Sequence, residues 1–254
     1  MNRIRLSILR TAASILVLFI GLASEMAFAA DDANLAWDNA LVVLPGGRNT
    51  TMREALAARD FDRVPPGTVT VLYLHGSTGQ TPHDPTQFGK AGFLVIGPDS
   101  MKRANRPVNR TLPNNVATFP QAPNYRLQEI RYALGQLPRL PNVGMRKLVI
   151  FGHSEGGKAA ANWTGPEFRA AVITGWNCHT RDTFFDGLKL PKSTAVLNIV
   201  AKKDNEIASD LGSSCAKQLA NYPTKEVINP DGTAHWMNNI YLADILRFMR
   251  DNTR

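Results

Sequence analysis

The sequence predicts an α/β chain: a doubly wound, mostly parallel sheet with helices on both faces. Three observations carry this expectation. Six short β-rich runs are continuously apolar rather than alternating, which suits strands covered on both sides. Helical patterns stand between them, so strand and helix alternate along the chain. Once an N-terminal leader is set aside, residues 30–254 remain, and a single domain of this class runs to about 200–250 residues.

The leader comes first. Arg3, Arg5 and Arg10 give a positive start, Ala12 to Ala23 is nearly all apolar, and Ala27-Phe28-Ala29 supplies small residues in an A-x-A pattern. These are the three regions of a secretory signal peptide, so residues 1–29 are expected to be removed after Ala29 or Ala30, leaving a periplasmic or secreted product. A retained anchor is the competing reading. The apolar run is shorter than the about 20 residues that span a bilayer, and Glu25 follows it closely, so no membrane association is expected after cleavage.

The expected strands are Val69–Leu74, Phe93–Ile96, Lys147–Phe151, Ala170–Ile173, Ala195–Val200 and Lys225–Ile228. Leu127, Ile130, Leu134 and Leu137 repeat at helical spacing, as do Leu242, Ile245, Leu246 and Met249. A further helix opens at Glu155 with two glycines and an alanine-rich run to Ala161. No repeat, low-complexity tract or linker divides residues 30–254, which read as one domain. In a doubly wound sheet, functional residues gather at the carboxyl ends of the strands.

At one such end stands Gly152-His153-Ser154-Glu155-Gly156, between a strand and a helix. A serine hydroxyl is a weak nucleophile unless it is exposed and paired with a base. G-x-S-x-G supplies the sharp turn that projects it, with glycines where the chain must pack closely. At the end of Val69–Leu74 stands His75-Gly76-Ser77-Thr78-Gly79. A tetrahedral intermediate needs two N–H donors aimed at its oxyanion. The backbone N–H of Glu155 and that of Ser77, with Thr78 as the near alternative, are the candidates.

Of five histidines, His75 and His153 belong to these turns, His83 to a polar loop, and His179 adjoins Cys178. His235, after the last strand and before the last helix, is the expected base, and a triad in this fold runs Ser, acid, His along the chain. Asp204, just beyond Ala195–Val200, is the expected orienting acid, with Glu206 and Asp231 as rivals.

Gly152–Gly157, His75–Gly79 and the strand Phe93–Ile96 leading into Gly97-Pro98-Asp99-Ser100 resemble the dienelactone hydrolase branch of the α/β-hydrolases over roughly residues 65–250. The resemblance implies an α/β-hydrolase fold with no large cap domain and no metal or organic cofactor. By position it supports Ser154, Asp204 and His235 as triad. Dienelactone hydrolases proper carry cysteine at the elbow and are cytoplasmic. Serine at this elbow points instead to a serine carboxylesterase acting on a small-molecule ester.

Other features bear on partners. The chain has 29 basic and 21 acidic residues, net +8; without the leader it has 26 and 20, net +6. No lysine or arginine run marks a nucleic-acid stripe, so no nucleic acid is expected as partner. Lys102, Arg103, Arg106, Arg110 and Arg126 lie in a stretch without acids between Asp99 and Glu129. A cationic rim of Arg103 and Arg106 that attracts an anionic ester is one reading, and a solvated loop the other. Trp236, with Trp163 and Trp176, lies near strand ends where it could line a pocket or pack in the core. Cys178 and Cys215, an even pair in an exported chain, are expected to form one disulfide. A serine peptidase or acyltransferase on the same triad, or a binding protein that kept the fold, are the alternatives to an esterase.

Overall fold

Five of the six apolar runs become strands buried from end to end, and they make the centre of the sheet. The computed structural model describes residues 32–80, 83–104, 106, 122–180, 183–207, 212, 214–236 and 238–254. The expected signal peptide, and most of the proline-rich stretch that carries Arg110, lie outside the described residues. The strands are β1 (Leu41–Val43), β2 (Asn49–Thr51), β3 (Thr70–Leu74), β4 (Leu94–Gly97), β5 (Leu148–His153), β6 (Ala170–Thr174), β7 (Ala195–Ile199) and β8 (Lys225–Ile228). They form one sheet in the order β2-β1-β4-β3-β5-β6-β7-β8. From β4 to β8 every pairing is parallel, whereas β1 runs antiparallel to both β2 and β4.

Helices cover both faces: α1 over 32–38, α2 (Met52–Ala57), α3 (His83–Lys90), α4 (Ala122–Gln136), α5 (Glu155–Ala161), α6 (Ala216–Leu219) and α7 (Leu242–Asp251). Side chains alternate along each strand. Leu72 and Leu74, Leu94 and Ile96, and Leu148 and Ile150 therefore point to one face, where they pack with Leu127, Ile130 and Ala133 of α4 and Ala159–Ala161 of α5. Val71 and Tyr73, Val149 and Phe151, and Leu197 and Ile199 point to the other, against Phe88 of α3 and Ile245, Phe248 and Met249 of α7. On that second face Tyr73 stacks on Phe151 at 5.1 Å, and Phe88 meets Phe151 edge-on at 5.1 Å. Both faces being dry explains why these strands read as continuous apolar runs. Burying each such side chain contributes about 1.5–3 kcal/mol.

Cys178, in the loop after β6, is bonded to Cys215 at the start of α6, with Cα atoms 5.0 Å apart. Trp163 and Trp176 are buried in the first core. No described helix is long and apolar enough to cross a membrane.

Candidate active site

The chain runs from β3 to β4 on one side of β3, then crosses to β5 on the other side. That reversal opens a crevice at the carboxyl ends of β3 and β5, where open α/β sheets place their ligands. Leu74 lies opposite Gly152 in the parallel register, so the segment after β3 and the elbow after β5 emerge side by side.

Ser154 sits between β5 and α5 with φ 55° and ψ −116°, a left-handed conformation that costs a non-glycine residue about 1–3 kcal/mol. The turn is held by Ser154 N–H donating to the Thr174 carbonyl at 2.8 Å and by Lys158 N–H donating to the Ser154 carbonyl at 2.9 Å. Its glycines are steric necessities. A Cβ on Gly152 would overlap the Gly156 carbonyl, and one on Gly156 would overlap the Leu74 carbonyl of β3. Gly76 brings the β3 loop against the elbow, since a Cβ there would lie 3.5 Å from Ser154 Cβ.

Ser154 shares a cavity of about 430 Å³ with Gly76, Ser77, Thr78, His153, Asn205, Glu206, Thr233, Ala234, His235 and Trp236. His235 Nδ1 lies 2.9 Å from both carboxylate oxygens of Asp204, which is buried. With Nδ1–H donating to that carboxylate, the lone pair is on Nε2. This Nε2 is buried and takes no hydrogen bond from the described residues. Of the two rival acids, Glu206 places Oε2 3.6 Å from Nε2 rather than Nδ1, and Asp231 pairs with Lys202 at 3.0 Å. Asp204 also accepts from the Glu206 N–H at 2.9 Å, which fixes its carboxylate beside the ring.

His153 packs between the site and the sheet. Its ring centroid is 5.0 Å from that of His235 and 4.0 Å from that of Trp236, and its Nδ1 is 3.0 Å from Thr174 Oγ1. Burial, reinforced by the neighbouring His235, pushes its pKa down to about 3, so the ring is neutral at physiological pH. Gly175, at φ 58°, makes room for both rings: a Cβ there would lie 2.9 Å from His153 Cε1 and 3.0 Å from His235 Cε1.

Arg103 and Arg106 depart from the expected cationic rim. Both are buried. Arg103 donates to Asp32 at 2.9 Å, to the Tyr125 carbonyl at 2.9 Å and to Gln128 at 2.7 Å, and it stacks on the Tyr125 ring. Arg106 donates to Glu155 and to Ser100 Oγ. The acids that neutralise them lie far away in sequence, so a local count made the stretch look uncompensated.

At the centre of this network is Arg126, fully buried on α4. It donates to Glu155 Oε1 at 3.0 Å, to Glu129 Oε2 at 3.1 Å and to the His75 carbonyl at 2.7 Å. One guanidinium thus ties the residue after Ser154 to the loop after β3, the two segments that carry the candidate oxyanion donors of Glu155 and Ser77. Burial alone pushes the Glu155 carboxyl up, but Arg126 and Arg106 outweigh it and hold it below the usual carboxylate range. His75 is held well below its ordinary value by burial and by Arg126. Ser100 N–H donates to His75 Nε2 at 3.2 Å, and His75 Nδ1 lies 2.7 Å from both the Gly76 carbonyl and the Arg126 guanidinium. The sequence reading missed this cluster. Its one available signal was the i, i+3 spacing of Arg126 and Glu129 among the apolar positions of α4.

Among the described residues, no group of three or more His, Cys, Asp or Glu side chains is placed to hold a metal ion. No protein-family model matches the chain, and no curated protein matches it by sequence. Solved structures do match it. A putative dienelactone hydrolase from Klebsiella pneumoniae superposes with a TM-score of 0.55 at 17% identity, covering 73% of this chain and 88% of that one. A dienelactone hydrolase-like promiscuous phosphotriesterase from metagenomic libraries gives 0.57 at 12% identity, over 74% of this chain and 88% of that one. Esterase PE8 gives 0.56 at 12%, over 74% of this chain and 94% of that one. The chain therefore has the α/β-hydrolase fold, in the form shared by dienelactone hydrolase-like proteins and esterases.

Proposed function

We propose that the chain is a serine esterase that works through an acyl-enzyme on Ser154. The observation that carries this reading is the bond of Asp204 to His235 Nδ1, which leaves Nε2 without a hydrogen bond from the described residues at a cavity that His235 and the strained Ser154 both line. Nε2 takes the Ser154 proton as the hydroxyl attacks the ester carbonyl. Asp204 holds the ring in that tautomer and stabilises the imidazolium. The N–H groups of Glu155 and Ser77 receive the oxyanion, and the imidazolium returns its proton to the departing alcohol. Water, deprotonated by the same nitrogen, then releases the acid. The fold neighbours support ester hydrolysis as the reaction class; they include the esterase PE8 and an acetyl xylan esterase from a Paenibacillus.

The same proposal places the protein outside the cytoplasm. The leader pattern of residues 1–29 and the Cys178–Cys215 bridge both suit export to an oxidising compartment. Mass determination of the protein recovered from a periplasmic fraction tests it. A chain starting at Ala30 or Asp31 is expected, and an intact leader would overturn it.

Labelling with a fluorescent fluorophosphonate tests the chemistry. The wild-type protein is expected to label, and Ser154→Ala and His235→Ala are expected not to. A folded wild type that stays unlabelled would remove the activated serine.

A further inference from the structure

The cavity beside Ser154 is asymmetric in charge. Setting the histidine rings aside, Glu206 is the single charged side chain among the described residues that line it. Its side chain is 63% exposed, and Oε2 stands 3.6 Å from His235 Nε2. The arginines that would have balanced it, Arg103 and Arg106, are turned inward into ion pairs with Asp32 and Glu155. Asn205 and Thr233 beside it are neutral, and Trp236 adds an aromatic surface to the same wall.

The position decides which part of a substrate feels this charge. In the esterase reading, on which this inference rests, His235 Nε2 delivers a proton to the departing alcohol. The alcohol portion of the ester must therefore pass within hydrogen-bond reach of Nε2, and so beside Glu206. We propose that Glu206 is a specificity-determining residue that selects esters whose alcohol carries an ammonium group. The carboxylate attracts the cation directly, and Trp236 on the same wall adds an aromatic surface for its alkyl groups. A cation about 6 Å from the carboxylate, at effective dielectric constants of about 40–80, gains about three- to tenfold over a neutral group of the same shape. The preference shrinks as salt is raised, because Glu206 is open to solvent.

The test compares butyrylcholine with 3,3-dimethylbutyl butyrate, its uncharged isostere, on wild type, Glu206→Gln and Glu206→Lys. The ratio of kcat/KM for the choline ester to that for the isostere is expected to fall about three- to tenfold in Glu206→Gln, and further in Glu206→Lys. An equal ratio in all three proteins would overturn the proposal while leaving the esterase reading intact. Protection of Ser154 against the fluorophosphonate by choline and by 3,3-dimethylbutanol reads the same selectivity without turnover. Choline must protect the wild type better than the neutral alcohol and lose that advantage in Glu206→Gln. Equal protection by the two alcohols in the wild type also overturns the proposal. A folded wild type that neither labels nor turns over either ester refutes the underlying reading instead.

Discussion

Replacing Arg126 by methionine keeps an unbranched stem, shortens it by the guanidinium end and removes one charge from a sealed cluster. In the native protein Arg103, Arg106 and Arg126 face Asp32, Glu129 and Glu155, so the cluster is balanced. Without Arg126, Glu129 keeps Arg103 at 3.5 Å, the charge of Arg106 nearby and a hydrogen bond from Ser100, and the His75 carbonyl loses the Arg126 donor. Breaking a buried ion pair by removing one partner costs about 3–5 kcal/mol, because the charge left behind is uncompensated. Urea unfolding at neutral pH is expected to show this as a lower midpoint at an unchanged slope. Adding Glu129→Gln restores the balance, so the double variant should recover at least about 1 kcal/mol relative to the sum of the single effects. An Arg126→Met cost below about 1 kcal/mol, or strict additivity in the cycle, would refute the claim that this cluster joins the elbow to the β3 loop.

Further expectations concern the same architecture. Asp204→Asn leaves the ring partnered but favours the wrong tautomer, so kcat should fall by about 10⁴ with little change in fold; a fall below tenfold would exclude Asp204 as the orienting acid. Gly156→Ala forces a Cβ into the Leu74 carbonyl and should cost about 3 kcal/mol in unfolding free energy together with fluorophosphonate labelling, whereas a stable, labelled variant would contradict the packing at the elbow. His153 has its folded pKa depressed to about 3 against 6.5 in the unfolded chain, so its contribution to stability is present above pH 6.5 and is lost as pH falls towards 3. Unfolding free energy should drop by about 2 kcal/mol from this residue between pH 7 and pH 5, with a shallower slope in His153→Gln; identical slopes would refute the burial of a neutral ring. Reducing Cys178–Cys215, which are 37 residues apart, should cost about 4 kcal/mol by loop entropy, and an unchanged midpoint in reductant would show that the bridge does not constrain the chain.

The central strands were legible because burial on both faces leaves a plain mark, a run of apolar β-formers without alternation. β3, β5 and β7 match the expected runs to within one or two residues. The edge was not legible. β1 and β2 have three residues each, and β2 is Asn49-Thr50-Thr51, too short and too polar to stand out from a loop. In the site, G-x-S-x-G marked the elbow because its glycines are dictated by contacts with Gly156 and Leu74 that no other residue tolerates. Chain order and strand ends brought Asp204 and His235 together, and they lie at 2.9 Å. Arg103 and Arg106 were misplaced because arginine is seldom buried and their partners are remote: Asp32 is 71 residues from Arg103, and Glu155 is 49 from Arg106. A periodicity argument cannot see compensation over such distances.

The central claim is that Ser154 becomes acylated during turnover. Rapid mixing with p-nitrophenyl acetate, quenching in acid and mapping the peptides by mass spectrometry tests this most directly. An acetyl group is expected on the peptide that contains Ser154, accumulating faster than it is lost, with no such adduct in His235→Ala. Ester turnover with the acetyl group on another side chain, or with no covalent intermediate at any time, would contradict it.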